Sequence, residues 1–329
     1  MTSFVTGGTG FLGSHVVRAL LEKGAQVKVL ARKTSNLTNL EDLDITIVEG
    51  ELVGVEDWED ALDGCDTVFH VAADYRLWVP DPENMFQANV EGTRQVLGAA
   101  IRHGVKRIVH TSTVGALAYP EDGESSNEDA EPAEADLIGP YKQSKREAEL
   151  IARELAEEGH PIVIVNPSTP VGPRDIKPTP TGQMIVNFLN GKMPGYLNTG
   201  LNLIDVRDCA KGHLLAAEKG QPGARYILGN RNITLKEILE IVARYSGRKP
   251  PRFRVPYPIA LAYACASTFV ADHITHRPPV APVVGVKLAG HFMYFDASKA
   301  VSELGLPQNP IENALKDAVA WYRENRYIK

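Results

Sequence analysis

Cysteine is scarce in this chain: Cys65, Cys209 and Cys265 stand far apart in 329 residues. Their number is odd and no C-x-x-C spacing occurs, which excludes a disulfide framework or a cysteine zinc site, and no metal site is expected. An excess of basic charge is also missing. The 35 Lys and Arg stand against 41 Asp and Glu, for a net charge of −6, so there is no broad cationic face for nucleic acid. No long apolar run occurs either. The longest nearly uncharged stretch, Tyr257 to Ala271, contains Pro258 and falls short of the about 20 residues that span a bilayer. It reads as a core or interface helix, a membrane-surface helix being the alternative, and no integral membrane segment is expected. Internal repeats and Gly/Ser-rich linkers are absent. Met1-Thr2-Ser3-Phe4-Val5 runs directly into a glycine-rich turn, which leaves no room for a leader and gives a cytoplasmic expectation.

What is present is alternation. Short β-rich runs at Ser3–Thr6, Val27–Leu30, Ile45–Val48, Thr67–Val71, Arg107–Thr111 and Ile162–Val165 are separated by helical patterns such as Ser14–Lys23 and Pro82–His103. Gly24 and Gly104 stop those two helices. The pattern predicts an α/β, Rossmann-type doubly wound parallel sheet. After Val165 prolines accumulate, and Leu201–Val206 and Arg225–Leu228 read as strands returning to the sheet. Thr234–Tyr245, Tyr257–Phe269 and Glu312–Tyr322 read as helices of a smaller, interleaved C-terminal substrate lobe. Residues 1–166 are thus expected to bind a dinucleotide, with 201–229 returning to that sheet and 167–329 forming most of the substrate lobe. Glu121–Asp136 carries eight acidic residues and no basic one. It reads as a solvated loop, a mobile lid being the alternative.

The turn Thr6-Gly7-Gly8-Thr9-Gly10-Phe11-Leu12-Gly13 follows an apolar strand and opens an amphipathic helix, the context a dinucleotide fingerprint requires. Glycines there let the backbone approach a pyrophosphate and aim the helix N-terminus at it. At the end of the second strand an acidic residue would hold the ribose hydroxyls of NAD. This chain has Ala31-Arg32-Lys33-Thr34-Ser35 instead, and Arg32 with Ser35 suits a 2′-phosphate. NADP(H) is therefore favoured, with NAD(H) the alternative if Arg32 and Lys33 only decorate a solvated turn. Glu51 and Leu52 follow the third strand and could flank the adenine. Ala72 and Ala73 end the fourth, where small residues let the backbone pass close to a ligand.

Tyr141 and Lys145 share one helix face, one turn apart. A tyrosine of pKa ~10 is a poor base near neutrality, and bringing it toward 7 takes about 4 kcal/mol of preference for the phenolate. A nearby ammonium supplies such a preference. Lys145 could also hold the nicotinamide ribose. Thr113, ending the fifth strand, is placed to donate to a substrate oxygen, with Ser112 the alternative. Tyr75 and Trp78 could stack on a substrate ring, or pack where the lobes meet.

Taken together, Thr6–Gly13, Ala72-Ala73, Asn89, Thr113 and Tyr141 with Lys145 resemble the extended short-chain dehydrogenase/reductase, or NAD-dependent epimerase/dehydratase, family over almost the whole chain. His70–Trp78 (HVAADYRLW) and Asn166–Gly182 (NPSTPVGPRDIKPTPTG) resemble its hopanoid-associated sugar epimerase subgroup, itself similar to dihydroflavonol 4-reductases. The family's usual first-position Ser is Thr113 here, and its acidic NAD-selecting residue is absent. The resemblance implies that Pro167, Ser168 and Thr169 contact the nicotinamide. It also implies that the chain is a homodimer through Pro82–His103 and Tyr141–Gly159. The function it implies is hydride transfer between a nicotinamide cofactor and a carbonyl or secondary alcohol carbon of a small, ring-bearing or sugar-like molecule, by a ketone reductase or a sugar epimerase. The alternative is a non-catalytic dinucleotide sensor, which would have no use for an intact Thr113, Tyr141 and Lys145.

Overall fold

The computed structural model describes residues 1–120 and 124–328. Strands β1 (Thr2–Thr6), β2 (Gln26–Ala31), β3 (Thr46–Glu49), β4 (Thr67–His70), β5 (Arg107–Thr111) and β6 (Ile162–Pro167) follow one another with helices between. Each of the six runs seen in the sequence forms one of them. All pair in parallel in a seven-stranded sheet whose seventh strand, Arg225–Leu228, joins beside β6. The order runs outward from β1 to β2 and β3 on one side and to β4, β5 and β6 on the other. The chain therefore reverses its winding between β1 and β4, and the crevice beyond their C-terminal ends is where an open parallel sheet binds a ligand.

Side chains alternate across the sheet. Phe4, Val68, Ile108 and Ile164 enter one buried cluster, while Val5, Phe69, Val109 and Val165 enter another on the opposite face. Helix α1 (Phe11–Glu22) covers the second face. On the first face lie α2 (Pro82–Phe86), a π-turn at Gln87–Glu91, α3 (Gly92–Arg102) and α4 (Pro140–Glu157). Burial on both sides explains why the strands read as continuous apolar runs.

Beyond β6 the chain builds a second sheet from β7 (Thr169–Val171) onward. Helix α5 (Pro180–Leu189) and the short β8 (Gly195–Tyr196) lead to β9 (Gly200–Asp205). The expectation that Leu201–Val206 rejoins the large sheet is corrected here. Strand β9 lies inside a smaller sheet, pairing with β7 in parallel and with Arg231–Thr234 in antiparallel fashion. Val206 already begins α6 (Val206–Lys219), capped by the Asp205 carboxylate, which accepts from the Arg207 N–H at 2.8 Å. Only then does the chain return as β10 (Arg225–Leu228), which takes the free edge of β6 after a helical crossover. Strand β9 still joins the two halves, because Leu203 packs into the small lobe's cluster and Ile204 into that of the large sheet.

The rest of the small lobe comprises β11 (Arg231–Thr234), α7 (Leu235–Ser246), β12 (Phe253–Arg254), α8 (Tyr257–Val270), α9 (Val283–Leu288), β13 (Phe292–Met293) and α10 (Ile311–Glu324). Helices α7 and α10 bury apolar stripes as their periodicity predicts. Helix α8 does not: Ala264 is its one buried residue, so of the expected core or interface roles the core one is not met. Among the described residues no helix is long and apolar enough to cross a membrane.

Of the acidic segment Glu121–Asp136, residues 121–123 lie outside the described residues. Most of the remainder is exposed, as a solvated loop would be, but it is anchored at two acidic residues. Glu128 is buried and accepts from the Ile227 N–H at 2.8 Å, and Glu131 pairs with Arg146, Arg153 and Arg225.

Candidate active site

The glycine turn leaves β1 and folds back on itself, with the Gly10 N–H donating to the Gly7 carbonyl at 2.9 Å. Gly7 has φ +72°, and a Cβ there would stand 2.6 Å from the Ala72 nitrogen. A Cβ on Gly13 would stand 2.1 Å from the Gly7 oxygen. Only hydrogen fits at either position. Gly10 starts α1 with no side chain capping it, so the first amides of the helix are left to an external anion. Phe11 and Leu12 follow on that first turn, Phe11 edge-on to His15.

Beside the turn, Thr6 begins a hydrogen-bond chain. Its hydroxyl accepts from the Ala72 N–H (3.3 Å) and meets His70 Nδ1 (2.8 Å). His70 Nε2 meets the Thr93 hydroxyl (3.0 Å), which donates to the Asn89 carbonyl (2.6 Å). The donors fall in order only if His70 carries its proton on Nε2. Burial keeps that ring neutral, its pKa pushed down to about 3. Asn89 in turn receives the Asp74 N–H and donates to the Ser144 hydroxyl, tying the loop after β4 to α4. Ala72 and Ala73 are thereby fixed at the sheet's binding edge.

At the end of β2, Ser35 and Arg32 close a turn on each other: the Arg32 N–H donates to the Ser35 hydroxyl and the Ser35 N–H to the Arg32 carbonyl. The Arg32 side chain is exposed, and among the described residues it has no ion-pair partner. Leu52 packs against Gly92 at the start of α3, and the neighbouring Glu51 carbonyl accepts from the Trp58 indole at 2.6 Å. Pro167 ends β6, Ser168 donates its N–H to the Leu228 carbonyl, and Thr169 opens β7. The Ser112 and Ser168 hydroxyls are buried without a partner, a costly state unless a ligand supplies one.

Tyr141 is the second residue of α4, where Gly139 (φ +86°) turns the chain and Pro140 starts the helix. Its phenol is hydrogen-bonded to the Thr113 side chain. Thr113 is buried in extended backbone, its hydroxyl also accepting from the Gly115 N–H at 3.0 Å. One turn along α4, Lys145 is wholly buried and donates from Nζ to the Thr111 carbonyl at 2.7 Å. Burial lowers its pKa to about 8, with Glu149 pulling the other way. The expected depression of Tyr141 by Lys145 is not met. Burial pushes the Tyr141 phenol up, and the bond to Thr113 only partly offsets this. The ammonium is committed to the Thr111 carbonyl, and the phenol stays protonated near neutrality.

Tyr75 and Trp78 both reach the second lobe. The Tyr75 hydroxyl donates to the Lys177 carbonyl at 3.2 Å and the Trp78 indole to Asp272 at 2.8 Å. Tyr75 also lies near enough to Tyr141 for its phenol, pushed to about 12 mainly by burial, to feel that neighbour.

Sequence reasoning passed over Glu149. It is fully buried, accepts from Asn166 Nδ2 at 2.7 Å and pairs with Arg225 at 3.2 Å and Arg146 at 3.4 Å. It anchors α4 to β6 and β10 beneath Lys145. The signal was the four-residue spacing Tyr141, Lys145, Glu149. Lys142 was missed as well. It is buried, donates to the Tyr119 hydroxyl at 2.5 Å, and has its pKa lowered to about 8 by burial. Tyr119 stacks on His291, which lines a cleft of about 700 Å3 with Arg254 and Tyr257.

A glycine cradle at the switch point, a Tyr-x-x-x-Lys helix and a hydroxyl after β5 match a known pattern over residues 3–229, that of the NAD dependent epimerase/dehydratase family. The chain belongs to this family. It is an NAD(P)-dependent oxidoreductase. A putative dihydroflavonol 4-reductase from Synechocystis sp. is 48% identical to it, over 99% of this chain and 96% of that protein. Sterol demethylase protein B of Methylococcus capsulatus is 32% identical over the full length of both. Among solved structures, a dTDP-glucose 4,6-dehydratase from Streptomyces venezuelae with NAD bound is 26% identical. It superposes with a TM-score of 0.79, covering 99% of this chain and 98% of that one.

Proposed function

We propose that the protein is a ketone reductase that draws on NADPH, and that Tyr141 gives the proton to the substrate oxygen. The observation that carries this reading is the Tyr141 phenol itself, protonated by its surroundings and hydrogen-bonded to Thr113. Reduction of a carbonyl consumes a proton at oxygen, and a group that holds its proton at neutral pH is suited to supply it. Thr113 holds that oxygen. Lys145, deprotonating near pH 8, steadies the site and carries the charge that holds a ribose.

A nicotinamide dinucleotide fits the cradle, where a Cβ on Gly7 or Gly13 would collide, and when bound it supplies the hydride. Thr6, Gly7, Gly10, Phe11, Leu12 and Gly13 would hold its pyrophosphate, with Ala72 and Ala73 alongside. Glu51 and Leu52 would flank the adenine, and Pro167, Ser168 and Thr169 the nicotinamide, the buried Ser168 hydroxyl gaining a partner. Arg32, exposed where an acidic residue would select NAD, and Ser35 would receive a 2′-phosphate. The substrate is a small molecule with a ring or sugar-like carbonyl, lodged near Tyr75 and Trp78.

We assign residues 1–166 with 207–229 to cofactor binding and most of the remainder to substrate binding. We also propose a homodimer through α3 and α4, where Leu150 is 45% exposed on the outer face of α4. Three free cysteines fit the reducing cytoplasm.

Two readings of one preparation test the reductase. Exchangeable NADPH consumed one-for-one with a ketone supports it. Stoichiometric retained NAD⁺, with no net absorbance change while a nucleotide sugar is converted, would mean an epimerase.

A further inference from the structure

Helix α8 carries no charged residue from Tyr257 to Val270, yet it buries only Ala264. Fifteen large apolar side chains are markedly exposed among the described residues, and eight of them fall between Phe253 and Val280. Scattered exposed apolar residues need no explanation, but a concentration of this kind does. Ile259 (62% exposed), Tyr263 (57%), Val270 (41%) and Ile274 (66%) are spaced by four, seven and four residues, which puts them on one helix face, and Phe269 (58%) stands at its flank.

The charge of the surrounding segment is equally uneven. Residues 244–287 hold seven Lys and Arg and a single acidic residue, Asp272, whose carboxylate receives the Trp78 indole. That segment carries +6 in a chain of net charge −6, so the rest carries −12. Arg248, Lys249, Arg252, Arg254 and Arg277 are exposed, and none has an ion-pair partner among the described residues. Several arginines elsewhere are paired, among them Arg146, Arg153, Arg207 and Arg231.

We propose that α8 and the cations beside it form a docking face for an anionic lipid bilayer, on which the helix lies in the plane of the surface. Charge complementarity decides the occupant. A second copy of the chain meeting this face symmetrically would bring +6 against +6, whereas an anionic headgroup layer takes the cations and the acyl boundary takes Ile259, Phe269 and Ile274. At 14 residues the helix is about 21 Å long, enough to lie on a membrane and too short to cross one. Tyr257 and Tyr263 suit the headgroup level, where an apolar ring with a polar tip is at home. Tyr257 and Arg254 also line the cleft of about 700 Å3, so the docking face and that cleft share residues, and an apolar substrate dissolved in the bilayer would meet the cleft at its edge.

The test is co-sedimentation of the full chain with vesicles of phosphatidylcholine alone and of phosphatidylcholine mixed with phosphatidylglycerol, at low and high salt. Binding to the mixed vesicles, weakened by salt, is expected. Ile259→Glu and Phe269→Glu should each weaken it about tenfold or more, and Lys249→Ala and Arg252→Ala about fivefold each. None of the four should change dinucleotide affinity or oligomeric state, which also reports that the variants are folded. Absence of binding to either vesicle would overturn the proposal, as would equal, salt-independent binding to both. An oligomer that dissociates in Phe269→Glu would overturn it too, since a second copy would then cover the face.

Discussion

Replacing Glu149 with Gln keeps its size and removes one buried negative charge beneath Lys145. Removing one partner of a buried ion pair costs roughly 3–5 kcal/mol, because the other charge is left without compensation. Arg225 retains Glu131 at 2.8 Å, a half-exposed carboxylate, so the cost should fall at the lower end, about 3 kcal/mol. Unfolding entropy scales with length. For 329 residues it is about 0.7 kcal/mol/K, and Glu149→Gln should lower the thermal midpoint by about 4 °C. A second effect is functional. Burial holds Lys145 near 8 and Glu149 opposes it, so losing Glu149 moves that titration to lower pH. Lys145 is charged below its pKa and neutral above it. Dinucleotide binding that needs the ammonium should therefore be full below about pH 8 in the parent enzyme and fall above it, and in Glu149→Gln the fall should begin at lower pH. Scanning calorimetry and a binding titration across pH read the two effects, with Lys142→Met as the control for the other lysine that titrates near 8. An unchanged midpoint together with an unchanged alkaline limb would refute the reasoning. A limb that disappears in Lys142→Met would assign it to the wrong residue.

Arg32→Ala should weaken NADPH by about tenfold to a hundredfold, the worth of a hydrogen bond to a charged group, and leave NADH nearly unchanged. Equal losses in fluorescence titrations would show that Arg32 does not meet a 2′-phosphate. Gly13→Ala puts a Cβ 2.1 Å from the Gly7 oxygen. The turn must open, at about 1–3 kcal/mol in stability, and both dinucleotides should be lost together, whereas retained binding would mean the turn is looser than its packing implies.

How far the sequence could be read follows from which features are local. A strand buried on both faces leaves an uninterrupted apolar run, and a glycine cradle must be glycine, so β1 to β6 and the turn at Gly7–Gly13 were visible directly. The shared face of Tyr141 and Lys145 followed from helix geometry, but the direction of the lysine amine did not, because the Thr111 carbonyl that takes it is 34 positions away. Strand β9 was assigned to the wrong sheet for a similar reason: its apolar run looks the same in either, and the choice depends on β10 filling the edge of β6. For helix α8 the sequence left a core, interface or membrane-surface role open, because an uncharged stretch without polar contrast carries no record of which face, if any, is covered. The acidic segment is largely exposed as expected, but the anchoring of Glu131 could not be read from it, because its cationic partners, Arg146, Arg153 and Arg225, all lie outside the segment.

The central claim is that the Tyr141 phenol gives up its proton in the reaction, and the most direct measurement is turnover of Tyr141→Phe beside its affinity for NADPH. The ring, its burial and the helix are retained, and only the proton is gone. Loss of positioned acid catalysis should cut turnover by about a hundredfold to ten-thousandfold, with NADPH binding within about twofold of the parent, since an unaltered fold leaves binding energy nearly unchanged. A Tyr141→Phe enzyme that reduces its ketone at the parent rate would contradict the account.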